Sequence, residues 1–179
     1  MKMSPRWLLA ASLLIATPAV GQEAHQETTA KQPTDEVKTR VETLLSGIEH
    51  VPTPQDWSAV GEPAVPVLIE IVRDRNAKIV TRGRAAIGLG YFDTDASKQT
   101  LRMMLIDSST PKLLLRKSIV ALVKLEGNGS IDAIAVHLDH GAKRVREQAI
   151  KSLGELRTEP ARAALGERAK VEPSKYLKD

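Results

Sequence analysis

Arg82-Gly-Arg-Ala-Ala-Ile-Gly-Leu-Gly-Tyr-Phe92 comes back twice further along the chain, and that recurrence decides the fold. At a shift of 33 residues it lies on Leu115-Arg-Lys-Ser-Ile-Val-Ala-Leu-Val-Lys-Leu125, and a further 31 brings it onto Arg146-Glu-Gln-Ala-Ile-Lys-Ser-Leu-Gly-Glu-Leu156. Small residues align as Ala85, Ser118 and Ala149; apolar ones align as Leu89, Leu122, Leu153 and as Phe92, Leu125, Leu156. The spacing within each copy puts these positions on one helical face.

The second half of each unit keeps step. Leu68, Leu101, Ile134 and Leu165 correspond, as do Val72, Leu105, Leu138 and Ala169, and Asp74, Asp107 and Asp139 are matched after each second helix. Turn signals separate the halves at Asp93-Thr94-Asp95, Gly127-Asn128-Gly129-Ser130 and Thr158-Glu159-Pro160. Between units stand Asn76, Thr110-Pro111 and His140-Gly141, with Thr110 before Pro111 reading as a helix start.

Each unit is therefore a helix, a short turn, a second helix and another turn. One such pair cannot bury its apolar face, but stacked pairs share a continuous core. The expected fold is all-α, an α-solenoid of stacked antiparallel helix pairs, with a repeat domain over 34–172. Within it lie a partial unit at 54–73 and full units at 76–106, 110–139 and 142–170. A cap helix at 34–49 begins at Thr34 or Asp35, carries the stripe Val37, Val41, Leu44, Leu45 and Ile48, and is stopped by Pro52 and Pro54. Residues 173–179 form a tail.

Composition agrees. Of the 179 residues, 42% are hydrophobic and 27% charged, which fits a globular chain, while only 3% are aromatic, so the core is built from Ala, Leu, Ile and Val. With no cysteine, disulfides, thiol nucleophiles and cysteine-ligated metals are excluded.

The N-terminus carries its own signal. Lys2 and Arg6 precede the apolar run Trp7 to Ala16, and Pro18, Ala19 and Gly21 follow. This is the layout of a secretory signal peptide over 1–21, cleaved after Gly21 or, as the second choice, Ala19; an uncleaved anchor is the alternative. The run falls short of the roughly 20 residues that span a bilayer. Residues 22–33 hold no large apolar side chain and read as a flexible linker. The expected location is periplasmic or secreted. Charge is polarised: 22–72 carries three bases and nine acids, whereas 76–157 carries fourteen bases and eight acids.

Val60-Gly-Glu-Pro-Ala-Val-Pro-Val-Leu68 resembles the junction into the second helix of a HEAT repeat, and Arg146 to Leu156 resembles its first helix. The 31–33-residue unit is similar to the short bacterial HEAT units of the phycobilin-lyase type over about residues 54–170. The resemblance implies a curved helical solenoid that binds macromolecules, most often proteins, along a concave face. It does not imply lyase activity, which rests on no bilin-handling feature here. Leu115 stands where the family pattern has arginine, which interrupts a regular Asp–Arg ladder at the middle unit.

Catalytic candidates are few. No Gly-x-Ser-x-Gly elbow or Gly-rich phosphate loop occurs, so no enzyme, cofactor or resident metal is expected. His137, Asp139 and His140 have chelating spacing, yet a turn role explains them. The functional leads are two. Gln99, Arg102, Met103, Asp132 and His137 are the second-helix positions least needed for the core, expected to project to the concave face. Arg73, Arg75 and Lys78, then Lys112, Arg116 and Lys117, then Lys143, Arg144 and Arg146 mark successive inter-unit turns and would form a positive edge. The expected function is an exported, non-catalytic scaffold for protein–protein interaction in the cell envelope; the alternative is polyanion binding (anionic glycan, lipid headgroup or nucleic acid) along that edge.

Overall fold

The structure, a computed structural model, describes residues 34–47, 51–172 and 174–178. The expected signal peptide, the linker and the last turn of the first expected helix lie outside these residues. Ten α-helices are described: α1 (Asp35–Ser46), α2 (Pro54–Val60), α3 (Ala64–Arg73), α4 (Ile79–Leu89), α5 (Asp95–Ile106), α6 (Lys112–Glu126), α7 (Ile131–Ala135), α8 (Lys143–Leu156), α9 (Glu159–Val171) and α10 (Lys175–Lys178). There is no strand among the described residues. Short 3₁₀ turns, Gly127–Ser130 and Val136–Asp139, flank α7 and make the second helix of the middle unit a composite.

The helices are layered in two rows. First helices pack in the order α4, α6, α8, and second helices in the order α3, α5, α7, α9, with each pair joined across the rows. This is the stacked all-α solenoid that the repeat predicts. Its spine is the aligned set: Leu68, Leu89, Leu101, Leu122, Ile134 and Leu153 are all fully buried. Each such side chain contributes about 1.5–3 kcal/mol relative to exposure. Ala85, Ser118 and Ala149, equally buried, leave room for neighbouring helices.

Local chemistry sets the ends. Thr34 caps α1 by accepting the Val37 N–H, and Thr53 with Asp56 forms a capping box on α2, whose first residue is Pro54. Gly127, at φ +51°, closes α6 by donating its N–H to the Val123 carbonyl.

Three expectations change. α1 is not merely a terminal cap: it packs on both α3 and α4, occupying the place of a first helix, while the seven-residue α2 is an insert. Second, Asp139 is not the partner of Asp74 and Asp107. Those two accept the N–H two residues on, from Asn76 and Ser109, each at 2.8 Å. In the third unit His140 does this, its Nδ1 accepting the Ala142 N–H at 3.0 Å, and Asp139 instead pairs with Arg168. Third, Thr110 does not cap α6; its hydroxyl is buried without a partner.

The rows are unequally spaced. A Cβ on Gly90 would lie 3.1 Å from the Cα of Ala121, so α4 and α6 approach backbone to backbone, whereas second helices touch sparsely. Unequal spacing bends a stack toward its tighter row, which places the first helices on the inner side.

At the N-terminal end Trp57 plugs the spine. It is 2% exposed, meets Phe92 edge-on at 6.1 Å and Tyr91 at 6.3 Å, and lies against Gly88, where a Cβ would come within 3.0 Å of the indole. Trp57→Ala is expected to lower stability by about 3–5 kcal/mol, read as a lower urea midpoint by far-UV circular dichroism; a loss under about 1 kcal/mol would show that α2 is not part of the cooperative unit.

Candidate functional site

The inner-row location corrects the expectation that the second helices face the concave side. Gln99, Arg102, Met103, Asp132 and His137 belong to the outer row. Arg102 is committed to structure: its Nε donates to Glu126 Oε1 at 2.9 Å, a terminal nitrogen pairs with Glu126 Oε2, and the same nitrogen reaches the Gly129 carbonyl at 3.0 Å. It ties α5 to the end of α6. His137 does not project at all but is buried. Gln99, Asp132 and Met103 are exposed.

What the inner row offers is an apolar groove that periodicity did not single out. About 430 Å³ in volume, it runs from the end of α1 across α4 to α6. Leu45, Trp57, Val80, Ile87 and Leu113 give it an apolar lining, with Arg84 and Lys117 on its sides. Val80 is 53% exposed, a β-branched side chain left facing out of a helix. The stem of Lys117 crosses Gly83, whose Cβ would come within 3.2 Å of its Cγ. Arg84 donates to the carbonyls of Leu45 and Gly47, both at 2.7 Å, so it also fixes the end of α1 that forms one wall. Chain segments 39 residues apart make this groove, which is why no local pattern announces it.

The basic residues separate into tied and untied sets. Arg146 is buried and gripped by a carboxylate, and Arg144 pairs with Glu147. Lys143 sits 5.6 Å from the Tyr176 ring centre. Lys78, Lys112 and Lys117 are exposed and make no ion pair among the described residues. Lys78, Lys112 and Lys143 stand at the starts of α4, α6 and α8, where no acid occupies the first turn. Cations at a helix start oppose its dipole, so these lysines do not serve helix stability. Arg116, half-buried, has a buried Nε with no hydrogen-bond partner.

At the C-terminal end the chain closes on Glu172, which the sequence did not reveal. Its carboxylate is buried, takes Nε and a terminal nitrogen of Arg146 at 3.0 and 3.1 Å, and also binds Arg168 and the Ser174 N–H. Arg146, with Arg168 and the Ser174 N–H, lowers the Glu172 pKa to about 2 against the opposing effect of burial. Close by, burial and then the neighbouring His140 push the His137 ring below its ordinary value. His137 Nε2 is buried without a partner, and the two rings are 6.3 Å apart.

Residues 145–170 match the family model of the PBS lyase HEAT-like repeat, spanning most of α8 and α9. No curated protein matches the chain. The matched unit is of the repeat family that the sequence resembles, and the fold around it is all-helical and HEAT-like.

Both perturbed groups predict acid sensitivity at this end. His137 resists protonation in the fold while the unfolded chain takes a proton near pH 6.5, so stability falls as pH drops below that value. Glu172 contributes stability that is complete above pH 4.5 and is lost as pH falls toward 2. Urea titrations from pH 8 to 3 are expected to show stability falling in two stages. His137→Leu should flatten the upper stage; Glu172→Gln should shrink the lower one and cost about 3 kcal/mol at pH 7. An unchanged profile in both variants would contradict this assignment.

Proposed function

We propose that this protein is an exported, non-catalytic scaffold of the cell envelope that holds a partner protein along its inner row of first helices. The observation that carries the reading is the apolar groove over α1, α4 and α6, with Val80 exposed and Arg84 and Lys117 beside it. HEAT-like repeats commonly mediate protein interaction, although PBS lyase-like repeats also occur in lyases. Groups positioned for chemistry do not converge in the groove: its polar members are two cations, and one of them fixes α1. Export is supported by Lys2, Arg6, the apolar run Trp7 to Ala16 and the small residues after it. No helix among the described residues is long and apolar enough to cross a membrane.

A second reading, polyanion binding, draws on one observation: Lys78, Lys112 and Lys143 mark three stacked helix starts free of first-turn acids. The few aromatic side chains offer little for base stacking, which favours an anionic glycan or lipid headgroup within this reading.

A photo-crosslinking side chain at Val80 or Leu113 is expected to yield a discrete protein adduct in envelope extracts, and one at Asp132 is not. Val80→Asp should reduce adduct formation from the Leu113 position at least about tenfold with an unchanged circular dichroism spectrum. Adducts from Asp132 alone would move the binding face to the outer row and overturn this reading. For the polyanion reading, retention on heparin should decline steeply as salt rises; retention indifferent to salt dismisses it.

A further inference from the structure

We propose that the junction where α3 turns into α4 is a carboxylate-recognition site, which takes an acidic residue or chain end of a partner polypeptide. The inference rests on the scaffold reading but on a different surface, the inter-unit edge rather than the inner groove. A cavity of about 310 Å³ opens there, and Arg73, Arg75 and Arg82 all line it.

These three arginines differ from five others among the described residues. Arg102, Arg144, Arg146, Arg162 and Arg168 each hold a carboxylate. Arg73, Arg75 and Arg82 make no ion pair among the described residues, since Arg75 reaches only the Ser109 hydroxyl, at 3.4 Å. Arg82 is 8% exposed, and its Nε donates to the Val72 carbonyl at 3.0 Å. That bond fixes the guanidinium at the end of α3 and leaves its terminal nitrogens for another acceptor. Asp107 also lines the cavity, but it accepts the Ser109 N–H. The Ser109 hydroxyl and N–H, with Arg75 adding less, hold its carboxyl below the usual range. Thr110 lies on the same wall, with its hydroxyl buried and unpartnered.

The repeat provides an internal control. One unit on, the positions of Arg73, Arg75 and Arg82 are held by Ile106, Ser108 and Leu115. The stack forms there without arginine, so the fold does not require the cluster. Two units on, Arg146 stands at the position of Arg82 and grips the Glu172 carboxylate with two parallel bonds. The chain thus displays, on its own residues, the group that an arginine at this position takes. A buried guanidinium gains most from a paired, planar anion, and a carboxylate matches its fork. Met103, half-exposed at the cavity's edge, suits an apolar neighbour of the acidic residue.

The test is a titration of the ¹⁵N-labelled full chain with acetyl-Leu-Glu-Leu-amide, followed at the arginine Nε–H resonances. Saturable shifts are expected at Arg82, Arg73 and Arg75 and none at Arg146. Arg73→Ala with Arg75→Ala, both exposed positions, should weaken binding at least about tenfold with an unaltered circular dichroism spectrum. Acetyl-Leu-Leu with a free carboxyl tests the chain end, and tighter binding of that peptide would support the site while assigning it to a terminus. The proposal is overturned by an absence of saturable shifts, by equal shifts with the uncharged control acetyl-Leu-Gln-Leu-amide, or by undiminished binding to the double variant. Inorganic phosphate binding more tightly than either peptide overturns it too, in favour of a phosphoryl site. Failure here leaves the groove crosslinks untouched, and failure of those crosslinks leaves this titration untouched.

Discussion

A helix pair of thirty-odd residues has more apolar surface than it can hide by itself, and everything else in this molecule follows from how that surface is covered. The cover is the next pair. Leu89, Leu122 and Leu153 on the first helices meet Leu68, Leu101 and Ile134 on the second, and all six are sealed from solvent. Small residues at Ala85, Ser118 and Ala149 permit the close approach that makes the seal tight. Because each unit is completed by its neighbour, the two ends of the stack are where the scheme must be terminated by other means.

The two terminations are chemically unlike. At the N-terminal end an aromatic plug, Trp57 on the inserted α2, covers the spine beside Phe92 and Gly88. At the C-terminal end the lid is ionic: Glu172 is drawn in by Arg146 and Arg168. An aromatic contact ignores pH, while a buried, paired carboxylate and a buried histidine do not. The ends therefore answer differently to acid.

Stacking also decides which surfaces are free. Residues of one repeat position line up along the molecule, so an irregularity in a single unit stands out as a local site on an otherwise uniform scaffold. Arg73, Arg75 and Arg82 are such an irregularity, set against Ile106, Ser108 and Leu115 in the following unit. The groove over α4 and α6 is another, since it needs the end of α1 and the Trp57 insert as walls, which no other unit has.

The sequence by itself determined the period, the helix pairs, the six fully buried spine positions and most of the turns, because these depend on spacing within about thirty residues and on side-chain size. It also marked Arg75 and Met103, which the structure brings into one cavity. It misjudged His137, taking it as projecting when it is buried, and did not foresee that the exposed Arg102 is bound to Glu126, because periodicity gives the face of a helix and not its neighbours. The one-residue slip between Asp139 and His140 has a similar origin: an aspartate attracts the alignment, while the turn needs only an acceptor two residues before the N–H, which the imidazole supplies. Only the tertiary structure decided which row lies inside, how α1 closes the groove and where Glu172 docks. Those outcomes depend on helix spacing and on pairs as far apart as Arg146 and Glu172, 26 residues, or Arg84 and Leu45, 39 residues, contacts that exist only once the units are stacked.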